Sequence, residues 1–140
     1  MKLQNYSRAE TLSAHNFDCC QIYVGTLTNL RGEMLKGITV EWVGSGSIEA
    51  HLPLKPADAL KFVEFLESVI KGDVPNKHTV KPYNRKLLNY LLALHLKFKK
   101  VEDGVASYRI SFATYTMWGK IKLSSLNSCS NNIRKLYEIA

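Results

Sequence analysis

The sequence predicts an α+β fold of antiparallel sheet with two main helices, in a strands-then-helix unit that occurs twice. Three observations carry this. Apolar and polar residues alternate over residues 37–43, 47–54, 94–101 and 105–115, and a period of two marks a half-buried strand. The turn segments Gly44-Ser45-Gly46 and Asp103-Gly104 join these stretches in pairs, because glycine supplies the positive φ that tight hairpins need. An amphipathic helical pattern then follows each set of strands.

Taken in order, residues 21–28 read as a strand with Ile22 and Val24 on one face, and residues 30–37 as a connection through Arg31-Gly32-Glu33. In 37–43, Ile38, Val40 and Trp42 point one way and Thr39 and Glu41 the other. The return strand, 47–54, turns Ile48, Ala50 and Leu52 inward and Glu49 and His51 outward. Pro56 suits a first helical turn, where a missing N–H leaves nothing unsatisfied. Asp58 places an acid near the positive helix start. Ala59, Phe62, Val63, Leu66 and Ile70 form an apolar stripe, and Lys71-Gly72 ends it. Phe65 falls at the stripe edge, a position compatible with exposure.

Residues 73–83 are polar, contain Pro75 and Pro82, and read as a linker. Residues 84–92 are either a short helix burying Leu87, Leu88 and Leu91 or a strand running into the next one, since no glycine or proline separates them. In 94–101, Leu94, Leu96 and Phe98 oppose His95, Lys97 and Lys99. In 105–115, Tyr108, Ile110 and Phe112 oppose Ser107, Arg109, Ser111 and Tyr115. Residues 119–123 form a third strand with Ile121 and Leu123 inward and Lys120 and Lys122 outward. The Ser128–Ser130 region caps a last helix whose Ile133, Leu136, Tyr137 and Ala140 share a face. The chain is expected to be one domain, 1–140, with half-units 16–72 and 84–140. The segments GSIEAHLPLKPADALKFVEFLESVI and GKIKLSSLNSCSNNIRKLYEI share a pattern of glycine, alternating strand, short break and amphipathic helix. Antiparallel strands before a helix, twice, is an order that resembles Whirly and Pur-type single-strand nucleic-acid binders over most of the chain. The resemblance rests on order and carries over no functional residue.

Charge divides the chain unequally. Residues 1–70 hold six basic and eight acidic side chains, a net of −2, whereas residues 71–140 hold thirteen basic and four acidic, a net of +9. Between Asp73 and Glu102 there is no acid, while Lys77, Lys81, Arg85, Lys86, Lys97, Lys99 and Lys100 all fall there. A field of one sign indicates an anionic partner or an acidic protein surface. The apolar fraction of 46% and charged fraction of 22% are those of a folded protein. No basic start precedes an apolar stretch at the N-terminus, and the apolar run at 87–96 is too short for a bilayer. Three cysteines, two of them adjacent, do not form a disulfide framework, so reduced thiols in a cytoplasmic setting are expected.

Motifs for catalysis are weak. Cys19, Cys20 and Cys129 lack the Cys-x-x-Cys spacing of zinc sites, and His15, His51, His78 and His95 are scattered. Gly44-Ser45-Gly46-Ser47 leads into a strand and lacks the lysine of a phosphate loop. A Cys–His nucleophile pair has no positive support. The reading is a non-enzyme without cofactor or metal.

The candidate surface is the outer face of the second-half strands. Lys97, Lys99, Lys120 and Lys122 are placed to neutralise phosphates, and Arg109, Tyr115 and Trp118 to contact bases or sugar. That face is expected to carry no outward acid, in contrast to Glu41 and Glu49 on the first-half sheet. The leading expectation is a small basic nucleic-acid-binding protein, single strands favoured over duplex. The alternative is an interaction protein, an accessory factor or inhibitor docking on an acidic partner. Faces of opposite sign also suit self-association.

Overall fold

Where apolar side chains alternate, the chain forms strands, and it forms more of them than alternation alone marks out. The protein is described by a computed structural model over residues 6–42, 49–81, 93–112 and 115–140. The first sheet, in the order β1-β2-β3-β4, contains β1 (Tyr6–Asn16), β2 (Cys20–Asn29), β3 (Met34–Trp42) and β4 (Glu49–Pro53). Helix α1 (Pro56–Ile70) follows. The second sheet, in the order β5-β6-β7-β8, contains β5 (Asn76–Val80), β6 (Leu94–Glu102), β7 (Val105–Phe112) and β8 (Tyr115–Lys122), and helix α2 (Leu123–Tyr137) closes the chain. All six strand pairings are antiparallel. This is an α+β protein in which, among the described residues, four strands and a helix occur twice.

Two strands lie outside the stretches that the sequence reading marks as strands. β1 is almost wholly exposed and has no apolar face. It forms because β2 offers a free edge, and it bends through two register irregularities at Arg8–Ser13. Gly25 of β2 permits that bend, since a Cβ there would collide with the Glu10 carbonyl oxygen. β5 occupies part of the stretch that reads as a linker, pairing Lys77 with Lys97 and Thr79 with His95. β3 likewise begins at Met34, inside the expected connection. The hairpin at Gly44-Ser45-Gly46 and the helix-or-strand alternative at 84–92 lie outside the described residues.

The helices cross over between the halves. α1 packs against β5 of the second sheet, and α2 against β1 and β2 of the first. The two helices also lie against each other, joined by Arg134, which donates to both Glu67 carboxylate oxygens at 2.6 and 3.2 Å. One buried cluster therefore takes Ile22, Val40 and Trp42 from the first half and Phe98, Tyr108 and Ile133 from the second. α2 starts at Leu123, with Lys122 at the N-cap position and no side-chain capping bond, so Leu123 is helical and Ser128–Ser130 lie inside the helix rather than at its start. The reason is a buried stripe of Leu126, Cys129 and Ile133 that extends the apolar face by two turns. Phe65 is buried, because β5 and β6 bring His78 and Phe98 against it at ring distances of 5.1 and 5.7 Å. Thr39 is buried on the outer face of β3, where its hydroxyl meets His51 Nδ1 at 3.1 Å.

The stacking of His78 on Phe62 and Phe65 has a consequence for stability. Burial lowers the His78 pKa from 6.5; Asp58 opposes the shift and Lys61 adds to it. Burial lowers His15 likewise. Below pH 6.5 the unfolded chain then binds more protons than the folded one, so stability falls as pH drops from 6.5 toward the folded value, and this contribution is constant above 6.5. Urea midpoints at about pH 7.5 and 5.5 should differ less in His78→Phe than in the parent, since the variant loses that titration.

Candidate nucleic-acid interface

Register across the second sheet brings the candidate residues together. Lys77 on β5 lies opposite Lys97 on β6, Lys97 opposite Arg109 on β7, and Arg109 opposite Trp118 on β8. Neighbouring strands are about 4.8 Å apart, so these four side chains form one row across the sheet. The row stands on the outer face, since the next register positions, Leu96, Ile110, Phe98 and Tyr108, are buried. Trp118 is 61% exposed, against 1% for Trp42. A shallow depression of about 50 Å³ lies at one end of the row, lined by Lys77, Thr79, His95, Lys97 and Arg109 among others. Within it Thr79 Oγ1 and His95 Nδ1 are 3.1 Å apart.

A second row runs Lys100, Ser107 and Lys120. It exists because β6 carries a register shift between Phe98 and Lys100. Lys99 is the extra residue of that bulge, and it is exposed. The bulge restores Lys100 to the outer register, a position that strict alternation assigns to the inside. A third row pairs Glu102 with Val105 and Val105 with Lys122. Glu102 is therefore an outward acid, contrary to the expectation of none, and its carboxylate lies 2.8 Å from Lys100 Nζ. Both groups are about two-thirds exposed, and an ion pair in that setting contributes little.

Tyr115 is not on this face. β7 ends at Phe112 and β8 begins at Tyr115, and the two residues are opposite each other. Tyr115 thus takes the register of buried Phe112, on the other side from Arg109 and Trp118, although it is 41% exposed. The alternation of β7 does not carry on through to Tyr115, because the pairing restarts with a new strand. Lys97, Lys99, Arg109, Trp118, Lys120 and Lys122 remain as exposed or half-exposed positions of the sheet. Lys77, Thr79 and Lys100 join them. The alternation of Lys77 and Thr79 with His78 and Val80 was the available signal for β5. The bulge at Lys99 left none.

The first sheet's outer face is different in kind. Glu41 and Glu49 are opposite each other, and each is engaged within its own face. Tyr23 donates its hydroxyl to Glu41 at 3.1 Å. Glu49 lies 3.8 Å from Arg8 and 3.3 Å from His51, and Arg8 in turn covers the Tyr23 ring at 3.9 Å. Burial raises the Glu49 pKa, Arg8 lowers it and Glu41 raises it again.

Among the described residues no group of three or more histidine, cysteine or acidic side chains is arranged to hold a metal ion, and no helix is long and apolar enough to cross a membrane. The chain matches no protein-family model and no curated protein.

Proposed function

We propose that the protein binds nucleic acid on the outer face of its second sheet, without catalysis, and that single strands are its ligand. The observation that carries this is the row Lys77–Lys97–Arg109, three cations directly opposite one another on consecutive strands. Like charges at directly opposite positions destabilise a sheet. An ordinary solvated face intersperses both signs, and this row has none of the opposite sign. A polyanion relieves the repulsion by supplying phosphates between the cations.

Trp118 at the end of the row favours nucleic acid over an acidic protein surface. A base offers a flat partner for an exposed indole, which a carboxylate does not. It also favours single strands, whose bases are free to splay onto an open sheet, while among the described residues no basic helix is shaped to enter a groove. Head-to-tail association between oppositely charged faces has less support, since Glu41 and Glu49 already have partners on their own sheet.

Fluorescence anisotropy with a labelled mixed-sequence oligonucleotide tests the reading. Binding should appear at low salt and weaken linearly with the logarithm of salt concentration. No binding at low salt would sink it. Tryptophan emission gives a second readout, because the chain has two tryptophans and only Trp118 is exposed. Saturating single strand should quench that emission, and Trp118→Phe should remove most of the quench. Trp118→Ala should weaken binding by about 1–3 kcal/mol. Binding with unchanged emission would leave the charge reading intact and remove base stacking from it.

A further inference from the structure

The seam between the two halves contains a cluster of three nucleophilic groups that the binding surface does not use. The turn between β1 and β2 projects from the first sheet onto the inner face of the second. Asp18 holds it with a φ of 73°, and backbone bonds from Phe17 to Cys20 and from Cys19 to Phe17 close it at 2.8 and 2.9 Å. The Phe17 ring meets Tyr108 edge-on at 5.9 Å. Cys19 Sγ lies 3.2 Å from the Tyr108 hydroxyl. Cys19 is half-buried, while Cys20 and Tyr108 are buried. Gly119 lies against the Tyr108 hydroxyl, and a Cβ there would come within 2.6 Å of it and 3.2 Å of the Phe17 carbonyl oxygen.

We propose that Cys19 is a site of reversible oxidation by small uncharged hydroperoxides, with the Tyr108 hydroxyl as the donor that reaches its sulfur. That hydroxyl can give a hydrogen bond to a thiolate, and a bond to the anion favours it. The Cys20 thiol is the larger influence on Cys19, whose pKa is brought down to about 7 against the opposing effects of burial and of Asp18. Cys20 and Tyr108 move the opposite way and keep their protons. Cys129, alone and fully buried, is pushed up to about 12 and serves as an internal control. Asp18 beside the sulfur disfavours anionic oxidants, and partial burial disfavours large ones.

In the step itself the Cys19 thiolate attacks one peroxide oxygen. An S–O bond forms and the O–O bond breaks. Two electrons pass from sulfur to the peroxide, and the departing hydroxide (from hydrogen peroxide) or alkoxide (from an organic hydroperoxide) takes a proton from solvent to leave as water or an alcohol. The product is a sulfenic acid, which exogenous thiol returns to Cys19 through a mixed disulfide. Cys20, neutral and buried, is a slow nucleophile, so the sulfenic acid persists long enough to be trapped.

The test is exposure of the whole chain to hydrogen peroxide at pH 7 with dimedone present, followed by peptide mass spectrometry, in native buffer and in urea. At pH 7 a thiol of pKa about 7 is about half ionised, against about 1% for one near 9; the falling nucleophilicity of the more acidic thiol reduces that advantage to about fivefold. The adduct on Cys19 should therefore form about fivefold faster in the native protein than in urea, with Cys129 unlabelled in the native state. Dithiothreitol given after peroxide and before dimedone should abolish it. Tyr108→Phe, which keeps the ring and removes one donor, should slow the native reaction. Labelling of Cys19 no faster in the native protein than in urea, or labelling of Cys129 ahead of it, would overturn the proposal. The parent comparison decides the matter even if the tyrosine variant does not fold, and it is independent of whether nucleic acid binds.

Discussion

Replacing Lys97 by glutamate is expected to stabilise the free protein and weaken its binding together. Lys97 lies between Lys77 and Arg109 in the row across the second sheet. In the parent each of these contacts is repulsive. In the variant both become attractive, and cross-strand pairs of opposite charge contribute roughly 0.2–1 kcal/mol each. The urea midpoint should rise. Binding should respond in the other direction, because one phosphate partner is lost and Arg109 is drawn to the new carboxylate. Loss of about two phosphate contacts lowers the slope of log K against log salt by about 1.4 for a single strand, which at about 50 mM salt is roughly a 70-fold loss of affinity. Anisotropy across a salt series measures both quantities. The control is Lys135→Glu, an exposed position on α2 away from the sheet, which changes net charge by the same amount and should leave affinity nearly intact. Equal losses in the two variants would mean that binding follows total charge and not this row. A rise in stability with unchanged affinity would remove the row from the binding reading altogether.

The largest effect on stability is expected from Phe98→Ala. Phe98 is fully buried and stands in the middle of a run of rings. Phe65 of α1 and Tyr108 of β7 each pack on it with ring centroids 5.7 Å away. Tyr108 continues to Phe17 of the first half, and Phe65 to His78 of β5. Truncation therefore removes contacts to both helix and sheet and leaves a cavity that neither can close without moving the other. A buried Phe→Ala change costs about 3–5 kcal/mol, a large share of the roughly 5–15 kcal/mol that holds a domain of this size folded. Denaturant titration should show the midpoint falling with little change in slope. A loss under about 1 kcal/mol would mean that the rings do not couple the two halves.

The elements legible in the sequence were those whose residues bury one face by themselves. Ile38, Val40 and Trp42 alternate with polar residues and lie in β3 with the expected side buried. Ala59, Phe62, Val63 and Leu66 form the buried side of α1. The outer positions Lys97, Arg109, Lys120 and Lys122 followed from the same alternation and from the Asp103-Gly104 turn, whose residues take φ of 54° and 74°. Where a strand owes its existence to a neighbour's free edge, local pattern is weak. β1 is held by backbone pairing to β2 and β5 by pairing to β6, and backbone hydrogen bonds are indifferent to side-chain identity.

Alternation within one strand says which side a residue takes, so the existence of a basic outer face and an apolar inner one was already written into residues 94–122. Which residues on that face stand together depends on register, and register is a property of pairs of strands. A bulge at Lys99 moved Lys100 and Glu102 to the outer face, and a new pairing at Tyr115 moved that ring off it. Lys77 joined the row through the edge pairing of β5. Contacts between the halves lie further still from local pattern. Cys19 and Tyr108 are 89 positions apart in the chain, and they meet because the burial of Phe17 and Tyr108 in one shared core draws the β1–β2 turn against the second sheet. Side-chain period is a local consequence of covalent geometry, whereas the assembly of rows and seams is set by packing among segments that no short stretch of sequence contains.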